Sequence, residues 1–245
     1  MQATTANTLY VRAGLLPFAR SIRRAGGVRE FLSREFDFAT LLAPHFTRAR
    51  PFWERPRGPD PSFTTSGALG RQLANLPTAL LSPHPTHAFV GVGPVAQAAL
   101  SAHDHTQPCF YPLQHLAAVQ DFSMLLTGCL KESPGFSTVH VAQYQLGLTC
   151  RHLWRHLLRW DYQIEGRACA ITAPEVPGCS LSFHKFYPEY RKDGNLFEGL
   201  IDGQTYLFVP SARRALATEL AILRENPRFV ECGRPRCVTC RLRTY

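Results

Sequence analysis

Long hydrophobic runs are missing from this sequence of 245 residues. No apolar stretch approaches the roughly 20 residues that a helix needs to cross a bilayer. The first residues, MQATTANTLYVRAG, lack the apolar segment and the cleavage site of a secretory signal. Hydrophobic residues make up 45% of the chain and charged residues 18%, which is the composition of a globular protein. We therefore expect a cytoplasmic protein with no membrane partner.

Lysine is scarce: only Lys131, Lys185 and Lys192 occur among the 27 basic residues, and the others are arginines. Against 18 acidic residues, this gives a formal net charge of +9. Because the planar guanidinium group suits phosphate, a polyanionic ligand is one interpretation, and a solvated charged surface is the other. The basic residues are dispersed and no nucleic-acid-binding module is visible, so we do not expect a nucleic-acid partner.

Short apolar segments alternate with helix-like segments along the chain. The apolar segments contain few polar residues, as in strands that are covered on both faces. Ser211 follows Pro210 as a candidate N-cap of the last long helix. The pattern predicts an α/β fold: a single three-layer α/β/α domain over 1–245, with a mostly buried central sheet and a small cysteine-rich C-terminal appendage over about 227–245. Strands are predicted at 40–46, 87–93, 122–130, 168–172 and 205–210, helices around 15–33, 66–76, 94–103, 138–146, 151–160 and 211–225, and a long loop over 48–63.

Three cysteines lie close together near the C-terminus, in the stretch ECGRPRCVTCR. Four residues separate Cys232 from Cys237 and two separate Cys237 from Cys240, a spacing that can place three thiolates on one tetrahedral zinc ion. In a reducing cytosol, closely spaced cysteines are metal or catalytic candidates before they are disulfides. For the fourth ligand we expect Cys179, with His184 as the alternative. An all-thiolate site would be structural because it has no open position, and a tail without metal is the competing interpretation.

The stretch SPHPTHAFVGVG places His84 and His87 on either side of Pro85, just before a predicted buried strand. Proline fixes its own φ and biases His84 toward an extended conformation, so the turn should be stiff. His87 leads directly into the predicted strand, at the edge of the sheet. Ligand-binding groups are common at such a place in α/β sheets. Metal binding, structural hydrogen bonding and contact with a substrate or cofactor all stay open for the pair, although nothing near it in the sequence supplies the remaining metal ligands.

Several motifs occur in the order that is found in one enzyme family. TSGALGRQLANLPTALLSPHPTHAFVGVGPVAQAALSAH (65–103) resembles that family's Gly-led helix, His-Pro-Thr-His-Ser turn, strand and Gly-Pro helix. FSMLLTGCLKESPGFSTVHVAQYQLGL (122–148) is similar to its strand, loop and Thr-x-x-His-x-x-Glu helix, and NTLYVRAGL (7–15) and TLLAPHFT (40–47) can be laid on its first two strands. The chain thus resembles the aminoglycoside 3-N-acetyltransferase (antibiotic N-acetyltransferase) family over most of 7–180.

The resemblance implies an α/β/α fold and transfer of an acetyl or other acyl group from a coenzyme A thioester to an amine of a small molecule, such as an aminoglycoside-like antibiotic. The amine is protonated at neutral pH and must lose a proton before it attacks the thioester, so a base is needed. The residue that matches the base is His140. Arg12, Gly14, His84 and His87 are expected to line the cofactor and substrate site, and a homodimer stays open.

The sequence departs from the family pattern at positions that are expected to face the ligands. Gln143 stands where a Glu should orient the base; it can accept a hydrogen bond but carries no charge. Glu132, in the preceding loop, is the other candidate for this role. Arg12, Ala13 and Gly14 replace a His-Ser-Ser sequence, and the family's Gly- and Ser-rich loop before the central strand is shortened to PCFYP (108–112). Two hypotheses therefore stay open: an active N-acyltransferase, and an altered or inactive homologue that serves for binding or uses another acyl donor, such as a carrier protein.

Overall fold

A mixed sheet of seven strands forms the centre of the computed structural model, which describes residues 7–47, 60–132, 134–149, 159–164, 167–172 and 175–241. The strands are β1 (Thr8–Ala13), β2 (Thr40–Phe46), β3 (Leu80–Leu81), β4 (His87–Val92), β5 (Ser123–Thr127), β6 (Arg159–Ile164), β7 (Arg167–Thr172), β8 (Phe197–Ile201) and β9 (Gln204–Val209). The strand order in the central sheet is β3-β4-β2-β1-β5-β9-β8, and a separate two-stranded sheet pairs β6 with β7. Residues 151–158 of the helix predicted over 151–160, and residues 48–59 of the loop predicted over 48–63, lie outside the described residues.

Parallel pairing at the centre of the sheet decides which strand ends meet. β1 runs parallel to both β2 and β5, with Leu9 opposite Leu41 on one side and Ser123 on the other. β4 runs antiparallel to β2, so that its first residue, His87, pairs with the last residue of β2, Phe46. The carboxyl ends of three central strands and the amino end of β4 therefore share one edge of the sheet.

Helices cover both faces of this sheet, which confirms the α/β/α prediction. The helices are α1 (Ala19–Ala25), α2 (Val28–Leu32), α3 (Ala68–Ala74), α4 (Ala96–Leu100), α5 (Tyr111–Val119), α6 (Thr138–Gln145), α7 (Tyr187–Lys192), α8 (Ala212–Glu225) and α9 (Val238–Arg241), with 3-10 turns at Leu16–Phe18, Phe183–Phe186 and Pro227–Val230. One buried cluster joins Tyr10 and Met124 of the sheet to α4, α5, α6 and α8, and the other joins Leu9 and Val11 to α1, α2 and α3. Adjacent residues of β1 belong to opposite clusters because strand side chains alternate between the two faces. Within the described ranges, no helix is both long enough and apolar enough to span a bilayer.

Capping and glycine residues in the sequence mark where helices begin and end. Ser211 is the N-cap of α8, as predicted: its Oγ accepts the backbone N–H of Arg214 at 3.1 Å and donates to Asp121 Oδ2 at 2.6 Å. The predicted helix over 15–33 is instead interrupted at Gly26, whose positive φ of 91° ends α1.

Other predictions need correction. The strand predicted at 168–172 forms but pairs only with β6, away from the central sheet. The last two residues of the helix predicted over 151–160 belong to strand β6, which begins at residue 159; WDYQI there alternates apolar and polar residues as a strand does. Helix α5 was not predicted because PCFYP was interpreted as loop, whereas Pro112 in the first turn is compatible with a helix start.

A buried carboxyl group links α8 to the helix that carries His140. Glu219 accepts a hydrogen bond from Thr138 Oγ1 at 2.6 Å, where α6 begins, and another from the hydroxyl of Tyr190. Burial raises the pKa of Glu219 to about 8, against an ordinary 4.5, and the two hydrogen bonds oppose this only in part. Between these values the folded chain keeps a proton that the unfolded chain releases, so the free energy of unfolding falls as the pH rises.

We expect the substitution Glu219→Gln to remove this pH dependence, because the amide is neutral at every pH. Relative to the parent protein, the variant should gain stability progressively from about pH 4.5 to about pH 8, reaching on the order of a few kcal/mol. Urea unfolding at several pH values measures the difference, and Glu225→Gln, at an exposed position of the same helix, is the matched control. Parallel pH profiles for Glu219→Gln and the parent would contradict the raised pKa.

Candidate active site

A pocket of about 390 Å³ opens at the sheet edge where the central strands end. Ligand sites in α/β sheets occur at the carboxyl ends of the strands, and this pocket follows that rule. It is bounded by the ends of β1 and β2, the start of β4, the start of α6 and an irregular segment before the 3-10 turn at Phe183–Phe186. The lining residues are Arg12, Phe46, His87, Phe110, Ser137, His140, Val176, Pro177, Gly178 and Ser180.

His140 lies in the first turn of α6, with its ring held between two aromatic side chains. The ring stacks on Phe110 at a centroid distance of 4.5 Å and meets the edge of Phe183 at 4.7 Å. Its Nδ1 is 3.3 Å from Oε1 of Gln143, three residues further along the helix. When Nδ1 carries the proton and donates to this oxygen, Nε2 is the nitrogen that can accept a proton.

Of the two residues predicted to orient His140, the structure brings Gln143 into contact with it. Gln143 is fully buried, and its Nε2 has no hydrogen-bond partner among the described residues. Glu132 is exposed in the turn after β5 and does not line the pocket. The amide of Gln143 carries no charge, so it can fix the tautomer but cannot itself balance the charge of an imidazolium.

Arg12 lies near the end of β1 and Gly14 lies just beyond it, and the two residues occupy different environments. The guanidinium of Arg12 lines the pocket, and its Nη1 donates to the carbonyl oxygen of Gly135 at 2.7 Å. Gly14 does not line the pocket. A Cβ at position 14 would lie 2.2 Å from the carbonyl oxygen of Gly128, so glycine is needed for the close approach of the segments that follow β1 and β5.

His84 holds the turn that precedes β4. Its side chain is buried, and its Nδ1 accepts the backbone N–H groups of Thr86 at 3.3 Å and of His87 at 3.0 Å. Burial, and then the neighbouring His103 and His87, lower the pKa of His84 well below its usual range. The ring therefore stays neutral and available as an acceptor, which is the structural hydrogen bonding that the sequence left open.

His87 faces the pocket. Its ring packs on Phe46 at 4.7 Å and on Phe110 at 5.7 Å, and its Nδ1 lies 3.0 Å from Thr86 Oγ1. Burial lowers the pKa of His87 to about 4, so it offers a neutral imidazole at physiological pH. Within the described chain, no group of three or more metal-binding side chains includes either His84 or His87.

The four predicted cysteine ligands meet in one cluster. The Sγ atoms of Cys179, Cys232, Cys237 and Cys240 all lie within 4.8 Å of one another, and those of Cys232 and Cys240 are 3.6 Å apart. Tetrahedral zinc with Zn–S bonds of about 2.3 Å places its sulfurs roughly 3.8 Å apart, so the cluster has the required size. His184 is exposed and outside the cluster, so the predicted alternative ligand is not brought to the sulfurs.

Sequence reasoning missed part of the pocket. Phe110 lies within PCFYP, which the sequence predicts as a shortened loop; an aromatic residue between the two prolines is the signal that could have identified it. Ser137 and the segment 176–180 carried no local signal, because they reach the pocket only through tertiary packing. In the sequence, Cys179 stood out only as a zinc ligand, whereas its neighbours Gly178 and Ser180 line the pocket.

The fold and the site define an α/β/α protein whose ligand-facing groups gather at the carboxyl ends of central parallel strands. The family model for aminoglycoside 3-N-acetyltransferase matches residues 39–216, and the chain belongs to this family. This confirms the resemblance that the sequence motifs indicated. No curated protein sequence is significantly similar to the chain.

Several solved structures share the fold of this chain. A variant of aminoglycoside acetyltransferase AAC(3)-IVa in complex with a gentamicin superposes with a TM-score of 0.71 at 18% identity, covering 96% of this chain and 90% of that one. AAC-IIIb in a binary complex with CoASH gives a TM-score of 0.65 at 18% identity and covers 90% of each chain. The YokD protein from Bacillus subtilis gives 0.69 at 14% identity, covering 91% of this chain and 88% of its own.

Proposed function

We propose that this protein is an N-acyltransferase that moves an acetyl or related acyl group from a coenzyme A thioester to an amine of a small molecule. The observation that carries the proposal is His140, placed at the pocket between two aromatic rings with its Nδ1 at the amide oxygen of Gln143. Membership of an acetyltransferase family supports it, as do relatives whose structures contain CoASH or a gentamicin.

In the proposed reaction, Nε2 of His140 removes a proton from the ammonium form of the acceptor. The freed amine nitrogen attacks the thioester carbonyl carbon, forming the amide bond as the C–S bond breaks. The sulfur leaves with the bonding electron pair, and the nitrogen sheds a second proton as the amide forms. Of the two protons lost from the ammonium, one ends on the thiolate and the other passes from His140 to solvent. No covalent intermediate on the protein is needed, because the nucleophile is the amine itself.

The other pocket residues take positioning roles in this proposal. Gln143, rather than the exposed Glu132, keeps the proton of His140 on Nδ1. Arg12 contributes a positive charge, which suits the phosphates or the carbonyl oxygen of an acyl donor. His87 presents a neutral ring, His84 fixes the turn that carries it, and Gly14 allows the segments behind Arg12 to pack closely.

The lining of the pocket bears on the choice of acceptor. Among the described residues that line it there is no carboxylate, whereas Phe46, Phe110 and the ring of His87 give it aromatic surfaces. A polycationic aminoglycoside gains little from such a lining, while an amine on an apolar or aromatic body can stack against it. The amines that are tested as acyl acceptors should therefore include aromatic monoamines as well as aminoglycosides.

A second candidate function is favoured by one observation, the neutral Gln143 at the base. An altered homologue that binds a ligand without acylating it would need no charge to stabilise an imidazolium. Calorimetric titration with acetyl-coenzyme A separates the candidates. Failure to bind any coenzyme A species would favour the binding protein or a carrier-protein acyl donor.

We also propose that the four-cysteine cluster holds one structural zinc ion. Thiolates are the ligands that zinc prefers in closed structural sites, and four of them leave no position for a reacting water. Holding the ion, the residues of the cluster would tie the C-terminal helix α9 to the segment that contains Cys179.

The substitution His140→Ala should lower kcat/KM for acetyl transfer by roughly 10²–10⁴-fold, because it removes the proposed general base. Steady-state assays with acetyl-coenzyme A and the amine panel measure the loss. His184→Ala, at an exposed histidine away from the pocket, should leave the rate unchanged. An equally active His140→Ala protein would remove His140 from this role.

The substitution Gln143→Glu should increase kcat by about tenfold or more, because a carboxylate beside the ring stabilises the imidazolium that forms during proton transfer. The acid limb of the kcat/KM profile should move to higher pH for the same reason. Gln145→Glu places the same charge on an exposed position of α6 and should change neither quantity. A slower Gln143→Glu protein with an unshifted profile would show that the amide does not act through His140.

Elemental analysis of the purified chain should find about one zinc ion per chain, because the four sulfurs lie within 4.8 Å of one another and need only small shifts to reach tetrahedral zinc. Replacing zinc with Co²⁺ should give the absorption bands of tetrahedral thiolate coordination. A chain purified in reduced form without metal, which also fails to take up Co²⁺, would contradict the site.

A further inference from the structure

The wall of the pocket opposite the sheet has no secondary structure of its own. Val176, Pro177, Gly178 and Ser180 line the pocket, and residues 175–180 belong to no helix or strand. No ladder of backbone hydrogen bonds therefore holds this segment, termed the wall segment (176–180). Its position has to be set by what anchors its two ends.

The upstream anchor is Glu175, which is buried. Its Oε1 accepts the backbone N–H of Cys109 at 3.0 Å, and its carbonyl oxygen lies 3.9 Å from Cys109 Sγ. Cys109 directly precedes Phe110, whose ring stacks on His140. This end of the wall segment is thus tied to the aromatic surface that supports the proposed base.

The downstream anchor is the four-cysteine cluster. Cys179 lies inside the wall segment, between two residues that line the pocket, and its sulfur points into the cluster. The other three sulfurs come from the C-terminal tail, which Lys185 Nζ fastens to the body through the carbonyl oxygens of Phe229 at 3.1 Å and Glu231 at 2.8 Å. A metal ion in the cluster would therefore connect a fixed tail to the pocket wall.

Without an ion, the contacts within the cluster are weak. Cys232 and Cys240 are in contact at 3.6 Å, and a thiol is a poor hydrogen-bond donor. Metal–thiolate bonds are far stronger and fix both the distance and the direction of each sulfur. A bound ion would thus hold the wall segment firmly, whereas without the ion the segment would be attached only loosely at Cys179.

We infer that the four-cysteine cluster is a positioning element of the acyl-acceptor pocket, in which a bound soft divalent ion, zinc, fixes the wall segment through Cys179. The acceptor role of the pocket rests on the proposed function; the mechanical coupling between cluster and wall does not. Loss of the ion should weaken acceptor binding and leave the proton-transfer machinery of His140 in place.

The test removes a ligand remote from the pocket, by Cys240→Ser. Zinc content should drop well below that of the parent, and the amides of residues 176 and 178–180 should exchange with solvent at least about tenfold faster, while amides of β1 and β5 keep their protection. KM for the amine should rise at least about tenfold with kcat changed much less, since a displaced wall costs binding before chemistry.

Two further variants complete the experiment. Cys240→His keeps a zinc-binding side chain and should restore metal, slow exchange and KM together. Arg234→Ala changes an exposed residue between Cys232 and Cys237 without removing a ligand and should behave as the parent. If Cys240→Ser loses zinc but keeps slow exchange in the wall segment and an unchanged KM, the inference is overturned.

The outcomes also separate this inference from the proposed function. If no variant transfers an acyl group but zinc loss still speeds exchange of the wall segment, the positioning role holds and the enzyme assignment falls. If Cys240→Ser does not fold, chelator titration of the parent decides the matter. Wall amides that lose protection before the β1 and β5 amides support the inference, and simultaneous loss overturns it.

Discussion

The parallel pairing of β1 with both β2 and β5 determines where this protein presents ligand-facing groups. It brings the ends of those strands to one edge, and the antiparallel β4 adds His87 opposite Phe46. Arg12, at the end of β1, reaches the same edge. Without this register, residues more than 70 positions apart, such as Arg12 and His87, would not line one pocket with His140 of α6.

Uncharged groups lie next to the proposed base. Gln143 is an amide, burial keeps His87 uncharged, and aromatic rings flank His140 on two sides. Such surroundings lower the local dielectric and strengthen the electrostatic interactions of any charge that develops during proton transfer, including those with the guanidinium of Arg12 at the same pocket. In the proposed reaction, the neutral residues contribute control of the tautomer and placement of the ring.

The wall segment and the C-terminal tail meet beside the pocket. Glu175 anchors the start of the wall segment, and the tail supplies the sulfurs that meet Cys179 within it. The buried Glu219 anchors another boundary of the pocket, because it joins α8 to the start of α6 through Thr138. Individual side-chain contacts around the pocket thus help to hold the site, in addition to the central sheet.

The sequence by itself determined the α/β/α class, the positions of β2, β4, α6 and α8, the Ser211 cap and the family, because strand runs, helix periodicity and caps involve residues within a few positions of one another. The cysteine spacing likewise pointed to the cluster. Only the tertiary structure decided between Gln143 and Glu132, separated the supporting role of His84 from the pocket-facing His87, selected Cys179 over His184 and moved β7 out of the main sheet. Those choices depend on packing between residues far apart in the chain, which no local pattern encodes.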